Sequence, residues 1–153
     1  MQYLCRRTRL TKITIPKGLY ARLIDDAKSS PALETCGLLA GREQFCSTMY
    51  PIKNVSPTPE TAFYMDPQSQ FSAMTAMRQS DEEMVGIYHS HPTTPAIPSP
   101  RDIAGAAYAD IAYLIVSLQK KSEPKGLGIC THKSSIRTNH ALYSRPQQKL
   151  NAL

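Results

Sequence analysis

Between Gly86 and Asp102 the chain reads GIYHSHPTTPAIPSPRD. Two histidines one residue apart, His89 and His91, are followed by a serine and an aspartate, Ser99 and Asp102. Imidazole nitrogen and carboxylate oxygen are both zinc donors, at about 2.0–2.2 Å. In a strand, side chains at i and i+2 share a face and stand roughly 6.6 Å apart. His89 and His91 can therefore converge on one ion while Ser90 faces away. Pro92, Pro95 and Pro98 stiffen the loop and reduce the entropy lost when a third ligand is held in place. Asp102 then arrives in the first turn of the next helix. Three protein ligands leave a fourth tetrahedral position open, which is the catalytic arrangement rather than the structural one. Hydrolysis at such a centre also needs a general base and a group that stabilises the oxyanion. Ser99 is a candidate for the second task.

Each of these parts also has an ordinary reading. Ser99-Pro100-Arg101-Asp102 has the S-x-x-D pattern of a capping box for a helix beginning at Pro100. A lone histidine at a strand end is more often hydrogen-bonded than metal-bound. The coincidence of H-x-H at a strand terminus, a stiffened loop and a returning acid favours the metal. Other H-x-H sites fit less well. A metallo-β-lactamase-like site wants Asp where Thr93 stands, and a TIM-barrel hydrolase needs about 250 residues against 153 here. Zinc deaminases need a P-C-x-x-C partner, which is absent.

The elements that must carry these residues follow from periodicity and punctuation. LTKITIP alternates as a strand does, and Pro16 suits the first turn of a helix whose Leu19, Leu23 and Ala27 recur at helical spacing. CGLLAG reads as a short buried strand closed by Gly41, and CSTMYPI as its hairpin partner. KNVSPTPET is a loop. Asp66-Pro67 starts a helix, with Phe71, Met74 and Met77 expected on its apolar face. MVGIY is the strand that delivers His89. Ser99 opens a helix carrying Ile103, Ala106 and Ala107. IAYLIVSL, the most apolar run, is expected as the central strand. KGLGIC and SIRTN would be edge strands, and His132 and His140 surface residues. The expected architecture is α/β (α+β-like), a mixed, mostly antiparallel sheet flanked by helices. It occupies one domain over residues 1–143, and residues 144–153 form a polar, frayed tail.

Bulk properties bound the function. A formal charge of +6 would suit an acidic partner, but the basic residues form no stripe and no aromatic-interleaved motif. No nucleic-acid binding is therefore expected. The longest apolar run carries Asp110 and is too short to span a bilayer, so no membrane association is expected. Cys5, Cys36, Cys46 and Cys130 form no C-x-x-C pair, which argues against a zinc knuckle or a dithiol motif. The N-terminal MQYLCRRTRLTK lacks the apolar core of a signal peptide, so a cytoplasmic protein with free thiols is expected. Cys36 reads as a small buried hydrophobe rather than a nucleophile.

ETCGLLAG (Glu34 to Gly41) followed by VGIYHSHPTTPAIPSPRD resembles the JAMM motif of the MPN-domain (JAB/MPN) metalloproteases, short bacterial type. That motif comprises an upstream Glu, H-[ST]-H-P, seven residues from the second His to a Ser, and S-x-x-D. Pro92 through Pro98 supply the seven. The stretch IKNVSPTPETAFYMDP is also similar to an Asn-containing segment of the short members, and the likeness covers about residues 11 to 120. The resemblance implies an MPN/cytidine-deaminase-like sandwich with His89, His91 and Asp102 as zinc ligands. It implies Glu34 as general base, although Glu34 alone reads as a solvated acid at a strand start. It implies Ser99 as the residue that stabilises the tetrahedral intermediate. Ile87 stands where many members have tryptophan. The implied activity is that of a zinc metallopeptidase or isopeptidase. Its protein or peptide substrate would end in Gly-Gly, such as a ubiquitin-like sulfur-carrier protein or a conjugate of one. A non-catalytic MPN scaffold and a small-molecule zinc hydrolase are the competing readings. Degenerate scaffolds of that sort have usually lost a ligand or the Glu, and here all are present.

Overall fold

The computed structural model describes residues 13–108, 110–119 and 127–130, the last four through their backbone. The elements run α1 (Lys17–Ser29), β1 (Cys36–Arg42), β2 (Phe45–Ile52), α2 (Pro67–Gln79), β3 (Glu83–His91), α3 (Pro100–Gly105), β4 (Ala112–Ser117) and β5 (Leu127–Cys130). The strands form one sheet in the order β2-β1-β3-β4-β5. Among the described strands only the β3–β4 pair is parallel, because the loop and α3 between them form the crossover that a parallel pair requires. The mixed, mostly antiparallel sheet with flanking helices is the architecture read from the sequence.

Each face of the sheet buries a different helix. Leu19, Leu23 and Ala27 of α1 pack with Leu39, Met49, Tyr88, Leu114 and Val116. Ala73 and Met77 of α2 pack on the other face with Cys36, Leu38, Ala40, Ile52, Ile87 and Ile111. The alternation Leu38/Leu39 and Ile87/Tyr88 between the two clusters is the period-two geometry of a strand buried on both sides. Tyr88 needs a special fit. A Cβ at Gly37 would sit 2.6 Å from the Tyr88 ring and would meet the Tyr50 carbonyl. The fully buried phenol donates its hydroxyl to Asp26 Oδ2 at 2.9 Å.

Several expectations are corrected. Phe71 does not face the core: it is 67% exposed, and Ala73 and Met77 supply the buried face of α2. Phe71 and Met77 lie six positions apart and diverge around a helix of 3.6 residues per turn. The middle strand is β3 rather than the more apolar β4, which lies beside it. Continuous apolarity marks burial on both faces, and β4, paired on both edges, has that burial too. The helix opened by Ser99 ends at Gly105, so Ala107 lies past it and is exposed. Of the expected first strand, Thr14 forms an isolated bridge to Phe45 and Ile13 is buried in the core; Leu10, Thr11 and Lys12 lie outside the described residues. SIRTN, His132, His140 and the proposed tail also lie outside the described residues. No helix among the described residues is long and apolar enough to cross a membrane.

Candidate metal centre

The C-terminal end of β3 presents Ile87, His89 and His91 on one face and Tyr88 and Ser90 on the other, as strand alternation requires. Both histidines are buried. Asp102 is brought back by α3, whose N-terminus is locked reciprocally. Ser99 Oγ accepts from the Asp102 N–H at 3.1 Å, and Asp102 Oδ2 accepts from the Ser99 N–H at 2.7 Å. The capping reading of S-x-x-D and the ligand reading are thus compatible. The cap fixes the carboxylate where its Oδ1 lies 3.3 Å from His89 Nε2 and its Oδ2 lies 3.4 Å from His91 Nε2. The two Nε2 atoms are 3.1 Å apart.

These three separations test whether an ion fits. Donors on a tetrahedral ion at about 2.0–2.1 Å stand about 3.3–3.4 Å from one another. The two Nε2 atoms are near that at 3.1 Å, each has a different Asp102 oxygen at 3.3–3.4 Å, and one donor atom from each residue lies within 4.8 Å of the other two. The tautomer fits as well. His91 Nδ1 lies 2.8 Å from the Pro95 carbonyl, an acceptor only, so Nδ1 carries the proton and Nε2 keeps a lone pair for a metal. The Pro95 carbonyl is held by a loop whose Thr94 carbonyl accepts from Ser117 Oγ at 2.7 Å. His89 is oriented differently, by its ring stacking on Phe63 at 4.6 Å and 25°. Among the described residues, His89, His91 and Asp102 are the group able to hold a metal ion.

For His89 the electrostatics agree with that assignment. Burial pushes the His89 imidazole below its ordinary value, the neutral form a ligand needs. Burial also opposes charge on His91, but its bonds to Asp102 and to the Pro95 carbonyl outweigh it and leave the group raised. Burial works against ionised Asp102, yet the imidazoles and Ser99 hold its carboxyl well below the usual carboxylate range.

Glu34 enters by strand register. Cys36 pairs with His89 in the antiparallel β1–β3 ladder. The pairing continues past β1 through the Ser90 N–H to the Thr35 carbonyl at 2.9 Å. One residue before Thr35, Glu34 lies close enough to His91 for their charges to couple. Ser90 Oγ, buried on the reverse face, accepts from the Thr35 N–H at 2.8 Å and closes this junction. Glu34 is only 6% exposed and its Oε2 has no hydrogen-bond partner. Burial, moderated by His91 and Arg101 and reinforced by Asp102, raises its carboxyl to about 7. Cys36 is buried, its thiol bonded to the Ile52 carbonyl at 3.5 Å and pushed up to about 12 by burial. That is an inert thiol, as read from the sequence.

All five residues singled out in the sequence thus stand at one end of the sheet. Phe63, Ser117 and the Pro95 carbonyl, which orient the ligands, did not stand out in the sequence because nothing local distinguishes them. The family model described as prokaryotic homologs of the JAB domain matches residues 16–127. The chain belongs to this Prok-JAB family. A Pyrococcus furiosus relative named desampylase is 37% identical over 117 residues, 76% of this chain and 81% of that protein. A Thermus thermophilus relative, a probable TtuB-protein conjugate cleaving protease, is 37% identical over 101 residues, 66% and 67% of the two chains. The solution structure of protein DSY2949 from Desulfitobacterium hafniense is 33% identical. It matches with a TM-score of 0.71 over 84% of this chain and 90% of that one. The Prok-JAB match coincides with the likeness to JAMM/MPN proteins read from the sequence.

Proposed function

We propose that this protein is a zinc-dependent protease that cleaves the peptide or isopeptide bond following the C-terminal Gly-Gly of a ubiquitin-like sulfur carrier. The observation that carries the reading is a buried carboxylate with an unpartnered oxygen, Glu34, close enough to His91 to couple with its charge and beside a His–His–Asp cluster able to hold a metal ion. Two imidazoles and one carboxylate suit zinc among common metals. The relatives named as desampylase and as a conjugate-cleaving protease support a protein conjugate as substrate.

The ion would supply Lewis acidity to the attacking water and the scissile carbonyl. The chain's own residues do the rest. Glu34, held by burial close to neutrality, takes a proton from the water and returns it to the leaving amine. Ser99 Oγ accepts from the Asp102 amide, and its hydroxyl would turn from the Asp102 carboxylate it stabilises to donate to the developing oxyanion. His91, His89 and Asp102 stay fixed, each by a separate hydrogen bond or stacking contact. An extended substrate tail entering by strand addition would place small glycines at the narrow site.

The test is metal content together with turnover. Purified protein should hold one equivalent of zinc, and His89→Ala should hold none. Glu34→Gln should keep the zinc while cleavage of a fusion with Gly-Gly before the scissile bond falls by about 10²–10⁴-fold. Cleavage that persists after thorough chelation, or full turnover by Glu34→Gln, would overturn the mechanism.

A further inference from the structure

Asn54 follows β2 and has no role in the chemistry above. Its side chain has two N–H donors and an oxygen with two acceptor sites, and all four are engaged. Nδ2 donates to the Glu34 carbonyl at 2.9 Å and to the Ala62 carbonyl at 3.0 Å. Oδ1 accepts from the Ser56 N–H and from the Tyr64 N–H, both at 2.9 Å. One side chain therefore joins the residue carrying the candidate base to both arms of the loop 55–64. Backbone bonds close the same loop, from the Val55 N–H to the Tyr64 carbonyl at 2.8 Å and across an Asn54–Met65 bridge.

The loop so clasped touches the site twice. The Pro59 carbonyl accepts from the Glu34 N–H at 2.7 Å, so Asn54 and its loop hold both backbone polar groups of Glu34. Phe63 projects from the loop onto the His89 ring. We propose that Asn54 is a positioning residue: its side-chain clasp sets the backbone of Glu34 and, through Phe63, the ring plane of His89. Loss of the two Nδ2 donors would leave the Glu34 and Ala62 carbonyls without that partner and let the loop drift from both. Geometry around a metal ligand and its base tolerates little such drift.

A simple loop staple would lower thermal stability and leave turnover of the folded protein unchanged. The test therefore compares Asn54→Asp, which keeps the shape and the acceptor oxygens but loses both donors, with Asn54→Ala. Leu23→Val, buried on the α1 face, is the control for stability alone. All are assayed zinc-loaded, well below their melting temperatures, on a peptide with Gly-Gly before the scissile bond. Zinc affinity is measured separately by chelator competition. The Asn54 variants should lose about 10–100-fold in kcat with little change in KM, and their zinc dissociation constant should rise about tenfold. Leu23→Val should change neither. Values within twofold of wild type for Asn54→Asp would overturn the inference, as would equal losses in Leu23→Val. Should the Asn54 variants fail to fold, Phe63→Leu leaves the clasp intact, and an unchanged zinc affinity there overturns the link to His89. The inference rests on Glu34 being the base. An active Glu34→Gln defeats that reading and this one together, whereas an inactive Glu34→Gln beside a normal Asn54→Asp defeats this one alone.

Discussion

Ser99 caps α3 and, in the proposed mechanism, would also donate to the oxyanion, and the magnitudes of the two roles separate cleanly. As helix cap it accepts one hydrogen bond, from the Asp102 N–H at 3.1 Å; loss of such a cap costs about 1 kcal/mol, less when glycine replaces the serine. Domains are stable by about 5–15 kcal/mol, so removal of about 1 kcal/mol leaves well over 99% of the molecules folded. That loss would be invisible in turnover. As a donor to the oxyanion, Ser99 is worth about 10²–10³ in kcat, roughly 2.7–4 kcal/mol. Ser99→Ala and Ser99→Gly should therefore both lose at least a hundredfold in kcat, although the glycine variant melts almost like wild type. Ser99→Thr, which keeps the hydroxyl, should retain most of both properties. Asp102 Oδ2 still accepts from the backbone N–H of residue 99 in every variant, so zinc affinity should change less than tenfold. The assay is kcat at saturating zinc, alongside calorimetric melting and chelator competition. A kcat within threefold of wild type in both Ala and Gly variants, with a lowered melting temperature in Ser99→Ala, would reduce Ser99 to a cap.

Other outcomes follow from the same geometry. In metal-free protein, Glu34 has a folded pKa of about 7, above its ordinary 4.5. The stability it contributes is fully present below pH 4.5 and is lost as pH rises through 7, by up to about 3 kcal/mol. Denaturant titrations should show that loss in wild type and not in Glu34→Gln, and superimposed curves would refute it. Tyr88→Phe removes the donor to Asp26 and should cost about 1 kcal/mol in urea unfolding, with zinc affinity unchanged. Phe71→Ser, at an exposed position on α2, should shift stability by no more than about 0.5 kcal/mol. A loss of 2 kcal/mol or more would place Phe71 in the core after all.

The sequence made some of this legible because certain features depend on near neighbours. Asp66-Pro67 and Ser99-Pro100 start helices because a cap and its acceptor lie within one turn. The CGLLAG/CSTMYPI hairpin is legible for a similar reason, since its two strands are close in the chain. The helix phase at Phe71 was not legible. An aromatic at roughly helical spacing looks like core in any local window, and only the position of the sheet decides which arc of α2 is covered. Asn54 left a faint trace, since Asn before a Pro- and Ser-rich loop commonly forms the Asx turn seen here to Ser56. Its reach to Glu34 left none.

From the order of residues alone one can derive that His89 and His91 share a strand face and that Asp102 returns to them on a capped turn. Strand alternation and helix capping act over a few residues, so those facts were available without coordinates. The position of Glu34 required the folded chain. It depends on β1 aligning with β3 so that Cys36 meets His89 and Thr35 meets Ser90, 55 residues away. That register is selected by the fit of two whole strand faces against α1 and α2. A one-residue slip would turn every inward side chain outward, and no local pattern encodes which alignment wins.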